Sequence, residues 1–173
     1  IPQNLMGEQR FSQEVDIKRI AQVTEDSFLY NIAAPQPSLS IRNEMPRFNF
    51  LPGTIQNYSW FGWPAVILWI ATLILAFIYF VTHNYPAKYN GLLIAMLACL
   101  IFNFILHVGY GFEPFLYTPD WTYAIIVMIT VLLQNAAKRT WFIVMLLFLL
   151  MSLLLNNMWL LYLVARQASA YLI

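Results

Sequence analysis

Charge is almost absent from most of this chain. No Asp, Glu, Lys or Arg lies between Arg47 and Lys88, between Lys88 and Glu113, between Asp120 and Lys138, or between Arg139 and Arg166. Soluble domains carry about a quarter charged residues, whereas here 10% are charged and 61% are hydrophobic. Each charge-free gap holds one segment of about 20 residues, enough to cross a hydrocarbon core of about 30 Å as a helix. The expected spans are Pro64 to Val81, Asn90 to Val108, Pro119 to Ala137 and Trp141 to Ala165. The fold class expected is therefore all-α membrane, a four-transmembrane-helix antiparallel bundle over residues 61–173.

The ends of the segments agree with these spans. Thr118-Pro119-Asp120 offers a cap, a proline at the first helical position and an acid at the positive end of the dipole. Lys138 and Arg139 suit a helix C-terminus, and the short step from there to the fourth span makes spans three and four antiparallel neighbours. Lys88 in the first connection and Lys138 and Arg139 in the third place those connections in the cytoplasm. The N-terminal segment, the Gly109–Thr118 connection and the C-terminus then face the other side, with a bacterial inner membrane as the expected location. Trp60, Trp63, Trp121 and Trp159, with Tyr58, Tyr110, Tyr117 and Tyr162, fall near the outer boundary. Amphipathic rings gather there as an aromatic belt, which needs no catalytic explanation.

Composition also excludes whole classes. A net charge of +1 without a basic cluster removes the footprint of nucleic-acid binding. Cys99 is the single cysteine, so neither a disulfide framework nor a cysteine-based zinc site exists, and no metal ligands are expected. The sequence starts at Ile1 with no signal peptide pattern, and the chain is expected to be the C-terminal part of a longer protein whose other transmembrane helices are its partners.

Residues 1–60 differ in kind, holding most of the charges and the prolines at 2, 35, 37, 46 and 52. They are expected to form an extracytoplasmic segment of mixed or irregular structure. Gln9 to Val23 is a candidate helix, Phe28 to Ile32 a candidate strand, and Pro35-Gln36-Pro37-Ser38 and Leu51-Pro52-Gly53-Thr54 are candidate turns. Asn57-Tyr58-Ser59 matches a glycosylation acceptor, a pattern frequent by chance.

The stretch from His107 to Trp121 is richer than a simple connection requires, with a histidine, two acids, several aromatic rings, two glycines and two prolines. Glu113 and Asp120 are the only acids beyond residue 44. Asn103 and His107 lie four apart on one helical face, and Asn156 and Asn157 lie in the outer half of the fourth span. Polar groups in a membrane are costly and usually face a bundle interior or a wet cavity. A substrate-binding site is expected from His107, Tyr110, Glu113, Asp120, Asn103, Asn156 and Asn157, with Glu113 and His107 close enough in sequence for an acid and imidazole pair. Bland roles compete: asparagines bond neighbouring helices, and a histidine or an acid at a helix end suits the dipole.

The run His107-x-x-Tyr110-Gly111-x-Glu113-Pro114-Phe115-Leu116-Tyr117-x-Pro119-x-Trp121 resembles one in the C-terminal half of bacterial multispanning proteins of the glycosyltransferase-C-like class, which are similar to dolichyl-phosphate-mannose mannosyltransferases. The resemblance covers this run alone. It implies a transferase that uses a polyprenyl-phosphate-linked sugar at the extracytoplasmic face. It also implies a divalent metal and catalytic acids in a loop upstream of this chain, so that the chain alone is inactive. Two other classes stay open: a transporter or flippase-like protein with asparagines lining a path, and a structural membrane subunit without catalysis.

Overall fold

The computed structural model describes residues 15–30, 32, 33, 35, 38–42, 45–49, 58–82, 87–110 and 119–169. Its elements in order are helix α1 (Ile17–Glu25), continued by a π-helical turn Asp26–Tyr30, strands β1 (Ser38–Arg42) and β2 (Met45–Asn49), and helices α2 (Gly62–Thr82), α3 (Asn90–Gly109), α4 (Pro119–Leu132) and α5 (Thr140–Ser169). Short 3-10 turns at Ala87–Tyr89 and Ala136–Lys138 precede α3 and α5. The chain divides into two compact units, one of Ile1–Asn31 with Leu75–Gln134 and one of Ile32–Ile74 with Asn135–Ile173.

Among the described residues three helical segments are long and apolar enough to cross a membrane: Gly62–Thr82, Ala87–Gly109 and Thr140–Arg166. They match the first, second and fourth expected spans. Their apolar side chains are not confined to one face. On α2 the buried stripe is Ala65, Val66, Trp69, Thr72 and Ala76, while Ile67, Ile74, Phe77 and Val81 point outward. On α5 the stripe is thinner still, Phe142, Leu149 and Asn156, each seven residues apart. Helices that are apolar all round are solvated by hydrocarbon rather than water. Thr72 fits this setting because its hydroxyl donates to the Leu68 carbonyl at 2.8 Å on its own helix.

The third segment departs from the expected Pro119 to Ala137. Helix α4 ends at Leu132, and at about 1.5 Å per residue it is shorter than a hydrocarbon core. Its last turn gives way at Leu133, Gln134 and Asn135, where the apolar run meets two amides, and the chain then tightens into the Ala136–Lys138 turn. Leu132, Leu133 and Ala136 are buried through this bend, so packing of the turn takes precedence over continuing the helix.

The N-terminal segment holds more order than its composition announces. Asp16 caps α1, its carboxylate accepting from the Arg19 amide at 2.7 Å. Phe28 to Tyr30, part of the expected strand, lies instead in the π-helical turn. The aromatic residues favour a strand locally, but the wider turn lets Asp26, Ser27 and Tyr30 all face inward. Strands β1 and β2 form an antiparallel hairpin with Ser38 opposite Asn49 and Arg42 opposite Met45. Leu51 to Thr54, Asn57 and most of the Gln9 to Asp16 part of the expected helix lie outside the described residues.

In the first unit α1 lies along α3. From Arg19 to Phe28 the facing residues of α3 fall back from His107 to Leu97, so α1 with its π-helical turn runs antiparallel to α3. Helices α3 and α4 are antiparallel as well, since His107 meets Trp121 while Cys99, two turns earlier, meets Tyr123.

Candidate functional site

The last turn of a helix leaves carbonyl groups without partners. At the end of α3 a side chain from elsewhere supplies them: Arg19 Nη2 of α1 donates to the His107 carbonyl at 2.7 Å and to the Tyr110 carbonyl at 3.4 Å. Arg19 is buried, and burial lowers its guanidinium from the ordinary value while the Asp26 carboxylate works in the opposite direction. The His107 ring is also buried and stands edge-on to Trp121, with centroids 4.8 Å apart and planes at 89°. Trp121 is 1% exposed in the first turns of α4. The first and last residues of the His107 to Trp121 run are thus in contact, and α1 grips the backbone where the run begins.

Asp26 completes the cluster. It is 0% exposed, and neither carboxylate oxygen has a hydrogen-bond partner. Burial pushes its carboxyl up to about 7, against the pull of Arg19 and with a further push from Glu25. Ser27 Oγ and Trp121 Nε1 are buried without partners too. Beside them lies a cavity of about 340 Å³ with Thr24, Ser27 and Phe28 on one wall, Leu97, Leu100, Ile101 and Phe104 on another, and Trp121 at α4.

The expected site residues are distributed as follows. Asn103 and His107 sit on α3 in this unit, and Tyr110 follows it as the C-cap. Asn103 donates to the Cys99 carbonyl at 3.1 Å, a bond within its own helix, and Cys99 Sγ lies 3.0 Å from the Tyr123 hydroxyl. The Tyr110 ring is exposed while its carbonyl is held. Asp120 lies in the first turn of α4, and Glu113 lies outside the described residues, so the expected acid and imidazole pair does as well. Asn156 and Asn157 belong to the second unit. There Asn156 is buried and accepts from Ser59 Oγ at 2.9 Å, while its own amide donates to Asn157 Oδ1 at 3.4 Å. Ser59 Oγ in turn accepts from the Gly62 amide at 3.0 Å. Asn156 therefore ties α5 to the capped start of α2. No group of three or more metal-ligating side chains occurs among the described residues.

Arg19 and Asp26 are absent from the expected set, although a signal for them exists. Arg19, Val23, Asp26 and Tyr30 are spaced at four, three and four residues, and all are buried. Two charged residues sit in the inward stripe of a helix, where apolar ones belong. Compared with protein families, with characterised proteins and with solved structures, the chain matches none.

Proposed function

We propose that this chain is the C-terminal membrane portion of a glycosyltransferase that takes sugar from a polyprenyl-phosphate carrier at the extracytoplasmic face. In this reading the segment from Pro119 to Ala137 crosses the membrane as the third member of an antiparallel four-helix bundle, α4 being extended by the residues that follow it. The His107 to Trp121 segment forms one wall of the site for the lipid-linked sugar. Any divalent metal and the catalytic acids belong to residues upstream.

The observation that carries the reading is the contact between the two ends of that run. His107 packs edge-on against Trp121 while Arg19 holds the His107 and Tyr110 carbonyls. His107 and Trp121, the first and last residues of the run that bears the resemblance, thereby meet at one end of α3. Transfer from a polyprenyl-phosphate sugar, measured in membranes containing the full-length protein, tests it. Glu113→Gln and His107→Ala should each lower turnover about tenfold or more, the range typical of a lost acid, base or positioning group, at unchanged protein level. Full activity in both variants overturns the proposal.

A further inference from the structure

A fully buried carboxyl group with no hydrogen bond is costly to ionise, and a buried, perturbed group of this kind is a candidate proton or ion site. Asp26 meets that description. It is fully buried, both oxygens lack partners, and it occupies the π-helical turn that ends α1. Single wide turns of this kind frequently occur at functional positions. Two helical turns before it on the same stripe, Arg19 makes the bonds that join α1 to the end of α3. We propose that α1 is a proton-operated latch, docked on α3 while Asp26 carries a proton and loosened when it is ionised, so that the proton decides whether Arg19 grips the His107 to Tyr110 backbone.

The surroundings of Asp26 support this assignment. On its own helix the charged neighbours are Arg19 and Glu25. Glu25 is half-buried, and its carboxylate accepts from the Tyr30 hydroxyl at 3.4 Å. Helix α3 brings His107, held at the Arg19 end, and Cys99, which lies against Tyr123 of α4. Trp121 brings only an indole N–H, itself without a partner. One guanidinium stands against one neighbouring acid and the loss of water. Burial prevails, and the carboxyl rises from 3.8 to about 7 on docking. Docking therefore takes up a proton. The contribution of Asp26 to docking is complete below about pH 4 and is lost as pH rises through 7. An arginine pinned by two backbone carbonyls at a helix end suits a latch, because its bonds can break and re-form without repacking a core.

The inference is independent of the transferase reading, because it concerns a conformational equilibrium. Its test uses the full chain in liposomes, with nitroxide labels at Ala21→Cys on α1 and Asn90→Cys at the far end of α3, in a Cys99→Ser background. The distance between the labels should be single and narrow at pH 5. A second, longer population should grow at least fivefold by pH 9, with its half-change near 7. Asp26→Asn should hold the single distance across that range, and Asp26→Leu provides the same neutral control should the amide misfold. His107→Gln should leave the transition in place. A distribution that does not change with pH in the unsubstituted pair overturns the latch. So does a transition that survives in Asp26→Asn or Asp26→Leu, or one that disappears in His107→Gln.

Discussion

Arg19 does the work of a helix cap from a distance. Its guanidinium reaches the His107 carbonyl in the last turn of α3 and the carbonyl of the C-cap Tyr110, with the first bond short and the second long. A buried hydrogen bond to a charged group contributes about 1.5–3 kcal/mol, and an orphaned carbonyl adds a desolvation cost. Arg19→Gln should therefore weaken the docking of α1 by about 2–4 kcal/mol, summing the short bond and part of the long one. Arg19→Lys, a point charge on a flexible stem without the planar fork, should keep the shorter bond and lose about half as much. Hydrogen exchange at residues 17–30 measures the difference, and equal protection in all three proteins would show that the two bonds carry no docking energy. Asn103 shows the opposite economy. Its amide donates to the Cys99 carbonyl on its own helix, a bond that offsets part of the cost of a polar residue there.

At the level of elements, α2 and α5 are joined through a small polar contact in an otherwise apolar setting. Ser59 caps the first turn of α2 and donates to Asn156 of α5. Gly62 makes room for it. A Cβ there would stand 2.7 Å from Asn156 Oδ1 and 2.9 Å from Tyr58 Cδ1, closer than real contacts allow. Gly62→Ala should destabilise the pairing by about 1–3 kcal/mol through overpacking. Ser59→Ala should cost a similar amount, about 1–3 kcal/mol, by leaving the buried Asn156 oxygen without its donor. The two residues share one contact, so the double variant should lose clearly less than the sum of the single ones. Thermal unfolding in detergent gives the comparison, and strict additivity would mean that the Ser59 to Asn156 bond is not what Gly62 protects.

For the whole molecule, the decisive property is the side of the membrane on which each connection lies. Lys138 and Arg139 follow α4, whereas His107 and Trp121 meet at the opposite ends of α3 and α4. The positive-inside rule predicts that the lysine end lies in the cytoplasm. In intact cells, in a Cys99→Ser background, a maleimide that cannot cross membranes should label Tyr117→Cys directly and Lys138→Cys only after permeabilisation. Labelling of Lys138→Cys in intact cells would reverse the orientation and move the His107 to Trp121 segment to the cytoplasmic face. Much of this level was legible in the residues themselves. Long charge-free runs leave an all-helical membrane segment as the solution that satisfies every backbone group in hydrocarbon, and the observed α2, α3 and α5 fall where the charges bound them. The exposed apolar faces of these helices follow from the same cause. The end of α4 was not legible, because Gln134 and Asn135 can continue a helix or end one according to what packs on the following turn. The polar cluster was harder still. Local pattern marks an amphipathic helix by its apolar stripe, and α1 with its π-helical turn carries Arg19 and Asp26 within that stripe, while the partner that Arg19 meets lies more than 80 residues away in the chain. The asparagine pair was visible as polar groups in an apolar span, but whether they faced a ligand or another helix was open. Only the position of Ser59 in space decided that Asn156 joins two helices.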